Sequence, residues 1–231
     1  MFNLGDMRFN IITIFPGLFD SFLNESLVKK AVDKKLLNFN IINLRDFTAD
    51  KHKTVDDTPY GGGAGMVMKI EPVYKALKKI KGLGKKSSPK KVILLTPSGK
   101  QFDQKMAEKF SKLGEITFIC GRYEGVDSRI DNFIDEKISI GPYVLNGGEI
   151  AAQAIIEAIF RLIPGAVGNI ESVKEETFSF KKDGKLVTAE YPAYTRPEVF
   201  EAENKKYKVP KVLLSGDHKK IKEWREKKTR G

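Results

Sequence analysis

Ile138-Ser139-Ile140-Gly141-Pro142-Tyr143-Val144-Leu145-Asn146-Gly147-Gly148-Glu149 is the stretch around which the chain is organised. A β-prone run ends at a glycine, a tight irregular turn follows, and a glycine pair opens the long apolar run from Ile150 to Ile163. The pattern is strand, loop, helix. A loop at the carboxyl end of a strand exposes unpaired backbone N–H and C=O groups, and glycine lets a ligand come close to them. An ordinary strand-to-helix connection, whose glycines only permit the turn, has the same local pattern. The neighbouring segments decide between the two.

Working outward, Lys91 to Thr96 (KVILLT) is a buried-type strand ending at Pro97-Ser98-Gly99, and Phe102 to Leu113 has helical spacing. Ile116 to Cys120 is another strand, ending at Gly121-Arg122-Tyr123-Glu124-Gly125. Three successive strand ends therefore carry glycine-containing loops, and ligands of open α/β sheets bind at such ends. Nearer the N-terminus, Met7 to Phe15 alternates as a strand, Leu18 to Leu37 has apolar residues at helical spacing, and Phe39 to Leu44 is a second strand. Glu71 to Ile80 is a further helix. Alternating strands and helices predict an α/β fold with a mostly parallel sheet and helices on both faces. Between the second strand and the Glu71 helix, Asp46 to Lys69 is polar, glycine-rich and without periodicity, a length at which loops are usually functional or disordered.

Beyond Pro164 the pattern changes. Gly165 to Glu190 has few apolar residues and reads as an interdomain linker. Tyr191 onward leads into a basic region whose apolar residues, among them Phe200, Val212, Leu213, Leu214, Ile221 and Trp224, suffice for a small helical domain. The expected organisation is thus 1–164, a linker at 165–190, and 191–231. Charge follows this division. Of a net charge of +11, +8 lies between Asn204 and Gly231, where eleven Lys or Arg face three acidic residues. A block of this kind suits a polyphosphate partner, because neutralising phosphates releases condensed counterions; a solvated lysine-rich helix that aids solubility has the same composition.

Several classes are excluded or disfavoured. Cys120 is the one cysteine, so no intrachain disulfide forms, and with only His52 and His218 a zinc site is not expected. Gly61-Gly62-Gly63-Ala64-Gly65 is not followed by Gly-Lys-Ser/Thr, and no Gly-x-Gly-x-x-Gly follows the first strand, which disfavours a P-loop NTPase or a dinucleotide-binding fold. No apolar run approaches a membrane span and Met1 to Arg8 lacks signal-peptide order, so a cytoplasmic protein without membrane association is expected.

The segments RDFTADKHKTVDDTPYGGGAGMVM (45–68), CGRYEGVDSR (120–129), SIGPYVLNGGE (139–149), YTRPEVF (194–200) and VPKVLLSGDHKKIKEWR (209–225) together resemble the bacterial tRNA (guanine-N1)-methyltransferases of the TrmD family. They run in the family's order over nearly the whole chain. The resemblance implies a SPOUT-type deep trefoil knot, S-adenosylmethionine as methyl donor, and tRNA as substrate; whether a divalent ion such as Mg²⁺ assists is left open by the sequence. It also implies a homodimer whose active sites are shared between chains. Knots are exceptions to the usual topology rules, and no periodicity points to one.

Carried over by position, the resemblance puts the donor among Leu94, Leu95, Thr96 and Pro97, then Gly121, Tyr123 and Glu124, then Ser139, Ile140, Gly141, Pro142, Tyr143, Val144 and Leu145 with Gly147 and Gly148. These are the loops selected by the strand pattern. Glu124 is expected to face the cationic donor, with helix capping as its ordinary alternative. Guanine N1 carries a proton at neutral pH, so its methylation needs a base, and donors for the charge developing on O6. The resemblance assigns the assisting arginine to Arg161, which also suits a helix C-terminus.

It assigns the base to Glu176, where Glu176-Thr177-Phe178 stands in place of the family's usual Asp-Ser-Phe; Glu175 and Asp183 are alternatives. Pro142 stands where the family often carries Asp, stiffening the loop. Asp50, His52 and Gly61, Gly62 and Gly63 are expected to receive the guanine, and the C-terminal cations, Lys219 and Arg225 among them, to track tRNA phosphates. A loop histidine facing water is the plain alternative for His52. A tRNA-binding protein of the same fold with weakened catalysis, and a SPOUT enzyme acting on another base or on ribose, are the competing functions.

Overall fold

A computed structural model describes residues 7–81, 89–166, 180–182, 185–187 and 191–229. The chain separates into two compact units, Met1–Ile170 and Glu171–Gly231. In the first, β1 (Met7–Thr13), β2 (Leu37–Asn43), β5 (Lys90–Gln101), β6 (Glu115–Cys120) and β7 (Glu136–Ser139) form a five-stranded sheet in the order β2-β1-β6-β5-β7. Every neighbouring pair in it is parallel, as the alternation of elements predicts.

Side chains alternate across a strand, so each strand feeds two cores. Phe9, Ile11, Ile93, Leu95, Phe118 and Cys120 point to one face. There they pack against α1 (Asp20–Asn24), α2 (Ser26–Asp33), α4 (Gln104–Phe110) and α5 (Glu149–Phe160). Ile12, Leu94 and Ile119 point to the other face, against α3 (Ile70–Lys81) and the 3-10 turns Leu44–Phe47 and Ser128–Phe133. Fully buried side chains such as Phe9, Phe118 and Phe160 contribute about 1.5–3 kcal/mol each. On the second face the buried Asn10 donates to Thr117 Oγ1 at 3.2 Å and accepts from Asn40 at 3.0 Å, so its amide is not left unsatisfied.

Three elements differ from the expectation. The helix expected from Leu18 to Leu37 is a 3-10 turn at Pro16–Phe19 followed by α1 and α2, broken at Glu25, whose backbone is extended. Its end carries no glycine: Lys35 takes the left-handed conformation (φ 57°), while Leu36 N donates to Ala31 O and Lys35 N to Val32 O, the paired bonds of a Schellman end. The strand expected to stop at Thr96 instead resumes. β5 pairs with β7 through Leu95↔Ile138, loops out over Thr96–Gly99, and pairs with it again through Lys100↔Ile138. The α4 helix accordingly starts late, capped by Asp103, which accepts from Met106 N at 2.8 Å.

The polar segment before α3 is ordered by a small ladder, β3 (Asp56–Asp57) antiparallel to β4 (Val67–Met68). Within the stretch read as linker, β8 (Phe180–Lys182) pairs antiparallel with β9 (Lys185–Val187). The C-terminal unit is not helical throughout. β10 (Val199–Ala202) and β11 (Lys205–Lys208) form an antiparallel hairpin, followed by α6 (Lys211–Leu214) and α7 (His218–Thr229). Phe200, counted towards a helical core, is a strand residue opposite Tyr207, their ring centroids 6.2 Å apart. The turn signal was hidden because Glu203 and Asn204, not glycine, take the positive φ values (50° and 61°) of the two-residue loop.

Candidate active site

The carboxyl ends of β5, β6 and β7 open into a cavity of about 380 Å³. Its walls are the 94–98, 121–126 and 138–148 segments, with the start of α5 as its floor. All the residues expected to hold the donor line it except Gly141 and Pro142. Gly141 shapes the third loop from behind: Ser139 Oγ donates to Gly141 O at 2.9 Å and accepts from Gly141 N at 3.2 Å, while Tyr143 N donates to Gly141 O at 2.9 Å. The loops are tied together by Gly148 N donating to Gly121 O at 3.0 Å and by an antiparallel bridge between Arg122 and Gly147. Tyr123 lines the cavity in the left-handed region at φ 58°, a costly place for an aromatic residue. Glu124 is exposed, caps no helix, and its backbone N donates to Met66 O at 3.0 Å.

That last bond is one of several joining the glycine-rich segment to the cavity. Met68 N donates to Gly125 O at 2.9 Å, Asp127 N to Met68 O at 3.0 Å, and Arg122 N to Met68 Sδ at 3.2 Å. The polar segment is thus built onto the second loop.

Residue types alone did not single out Arg122 and Glu149. Glu149 is fully buried in the first turn of α5, where its charge suits the helix N-terminus. Arg122 grips it with Nε at 3.0 Å from Oε2 and Nη2 at 2.9 Å, and Thr13 Oγ1 donates to Oε1 at 2.7 Å. Both partners lie inside the quoted motifs, but 27 positions apart, and a pairing across two loops has no periodic signature. Cys120 beside them is buried, and burial together with the Glu149 charge pushes its thiol pKa well above the ordinary value, so it stays protonated.

The residues expected to meet tRNA are more scattered. Asp50 accepts from Thr54 Oγ1 at 2.8 Å and from Thr54 N at 3.1 Å, bonds that lower its pKa and close the 50–54 turn. His52 is exposed in that turn. Gly61, Gly62 and Gly63 are exposed with φ of 86°, 77° and 122°. Arg161 caps the far end of α5; at ~1.5 Å per residue the helix puts it roughly 18 Å from the cavity end. Glu176, with its alternatives Glu175 and Asp183, lies outside the described residues. In the C-terminal unit Lys219 N donates to Asp217 Oδ1 at 3.1 Å, and the Arg225 guanidinium lies over the Tyr191 ring, 4.6 Å from its centroid.

Residues 7–231 match the profile of the family described as tRNA (Guanine-1)-methyltransferase TrmD. The chain belongs to this family. Individual TrmD relatives agree. A tRNA (guanine-N(1)-)-methyltransferase of Dictyoglomus turgidum is 51% identical over 221 residues, which cover 96% of this chain and 84% of the relative. Those of Clostridium tetani and Clostridioides difficile are 49% and 50% identical, each over 96% of this chain and over 87% and 92% of their own lengths. A TrmD methyltransferase implies an S-adenosylmethionine methyl donor. Among the described residues, no helix is long and apolar enough to cross a membrane, and no cluster of His, Cys, Asp and Glu is suited to a metal.

Proposed function

We propose that the chain methylates N1 of the guanosine immediately 3′ of the anticodon in tRNA, with S-adenosylmethionine as donor. The observation that carries this is the cavity at the three strand ends, built from loops that contain the family's own motifs. The residues present suit that donor. A volume of about 380 Å³ is in the range of small-molecule sites, backbone groups of the loops match an adenine edge and ribose, and Leu94, Leu95, Ile140 and Leu145 offer apolar walls. Glu124, lining the cavity, adds negative charge that suits a cation, whereas Asp131 on the same wall is paired with Lys137 at 2.7 Å. The bound donor would supply an electrophilic methyl group on a sulfonium sulfur.

The chain's own task is to prepare the guanine. In this proposal the Glu176 carboxylate takes the N1 proton, freeing the nitrogen lone pair for the new N–C bond, and Arg161 donates to O6 as negative charge develops there. Glutamate keeps the carboxylate that the family's aspartate supplies, on a side chain one methylene longer. Asp50, His52 and the Gly61–Gly63 loop receive the flipped base, since the segment that carries them is bonded to the second cavity loop. The first domain, 1–164, holds the donor, the 165–190 segment carries the base, and the cationic 191–231 region, with Lys219 and Arg225, follows the tRNA backbone.

Two further features belong to the proposal. The SPOUT knot is supported by β5, which pairs with Ile138 both before and after its loop. The shared dimeric site is supported by Arg161, which within one chain stands at the opposite end of α5 from the cavity and so reaches a donor site only in a second copy. Ile150 and Val144, 55% and 82% exposed at the cavity end of that helix, are an apolar surface for such a partner.

The test is methyl transfer from labelled S-adenosylmethionine, with and without Mg²⁺, to a tRNA transcript carrying guanosine 3′ of the anticodon, beside one with adenosine there. Product confined to the first transcript and mapped to N1 is expected. Glu176→Ala should lower kcat by about a hundredfold or more and leave donor binding intact. Donor and tRNA binding without turnover would instead indicate a tRNA-binding protein.

A further inference from the structure

We propose that Arg122 is a positioning residue for donor binding, latching the second cavity loop to the third through Glu149, and that it is not a ligand of tRNA phosphate. The proposal rests on the cavity being the donor site.

The geometry of the guanidinium carries it. Arg122 follows directly on Gly121 at the end of β6, and its side chain is only 20% exposed. Two of its nitrogens are committed to the fully buried Glu149 carboxylate, and its face lies 4.5 Å from the centroid of the Phe15 ring. A phosphate would have to compete with a bidentate carboxylate already in place. Glu149 in turn accepts from Thr13, whose hydroxyl oxygen also accepts from Phe15 N at 2.9 Å. The network therefore joins the end of β1, the end of β6 and the start of α5. Those are the supports of the 121–126 loop and of the Gly147-Gly148 corner.

Gly147 is matched to the latch. A β-carbon there would stand 2.2 Å from Arg122 Nε and 2.6 Å from Glu149 Oε2, so the backbone of the third loop closes over the ion pair because that residue has no side chain. Together with the Arg122–Gly147 bridge, this makes the spacing of the two loops depend on the pair. Removing one partner leaves the other charge buried and alone, which costs far more than removing both.

The experiment is a double-mutant cycle on the full-length protein with Arg122→Met, Glu149→Gln and the double variant, and with Arg122→Lys as the conservative change. Equilibrium binding of S-adenosylmethionine, binding of tRNA, KM for each, kcat and Tm are measured. We expect donor affinity to fall by about tenfold to a hundredfold in each single variant, in line with couplings inside one salt-bridged network. The double variant should bind the donor no worse than either single variant but still more weakly than wild type, Arg122→Lys should be intermediate, and tRNA affinity and kcat at saturating donor should hold. Should the single variants fail to fold, the double variant, which leaves no buried charge unpaired, decides: weak donor binding supports the latch, and wild-type donor binding or failure to fold overturns it. Loss of tRNA affinity with donor affinity unchanged also overturns it. Wild-type protein that binds no S-adenosylmethionine would refute the donor site itself, a result distinct from all of these.

Discussion

Gly99 lies against the backbone of Ile138: a β-carbon on Gly99 would stand 2.5 Å from the Ile138 amide nitrogen and 2.6 Å from its carbonyl carbon. Both contacts are with main chain, which has no rotamer through which to yield. The close approach is what allows β5 to pair with Ile138 at Leu95 and again at Lys100, and it sets the distance between the first and third cavity loops. Gly99→Ala is expected to destabilise the fold by more than about 3 kcal/mol, with Tm lower by roughly 10 °C. Thermal unfolding followed by circular dichroism checks this, and an unchanged Tm would contradict the crossing.

Tyr123 carries a different kind of strain. Its φ of 58° costs of order 1–3 kcal/mol for a residue with a side chain, and the ring is placed on the cavity wall. Tyr123→Gly should therefore leave Tm unchanged or raise it while weakening S-adenosylmethionine binding. Tyr123→Phe, which keeps the ring, should bind the donor close to the wild-type affinity. Calorimetric titration beside a melting curve separates the two effects.

Asp127 begins the 3-10 turn that follows the second cavity loop, accepting from Arg129 N at 2.9 Å and from the Arg129 side chain. The Arg129 hydrogen bond holds its pKa below the ordinary value of 3.8. With the folded pKa depressed, its contribution to stability is present in full above the unfolded value and is lost as pH falls through the folded value. Asp127→Asn should lower the urea midpoint at pH 7 and narrow its difference from wild type below pH 3.8. Because the Arg129 side chain is 64% exposed, added salt should shrink the effect.

The proposed phosphate tracking by the C-terminal cations predicts a tRNA affinity that falls steeply with salt. Replacing Lys219 and Lys222 together by Ala should reduce the slope of log affinity against log salt by about 0.7–0.9 per lysine, without changing donor affinity in the absence of tRNA. Filter binding over a range of salt concentrations measures it.

Much of this was legible from the residues. The continuous apolar runs Ile93–Leu95 and Phe118–Cys120, with helical spacing between strands, specify a two-faced parallel sheet because such strands bury both sides. The glycine loops after Leu95, Cys120 and Ile140 mark the end of that sheet where a ligand fits. Less legible were the breaks that carry no glycine. Lys35 ends α2, and Glu203-Asn204 turns the β10–β11 hairpin, by adopting positive φ that their residue types do not advertise.

The sequence by itself determined the family, the parallel α/β class and the loops that line the cavity, since these depend on local pattern and on motifs contiguous in the chain. Only the tertiary structure decided that β5 returns to Ile138 and that Arg122 is committed to Glu149. Each of these is a relation between residues distant in the chain. Such relations are set by packing and by the need to pair buried charge, and no local propensity encodes them.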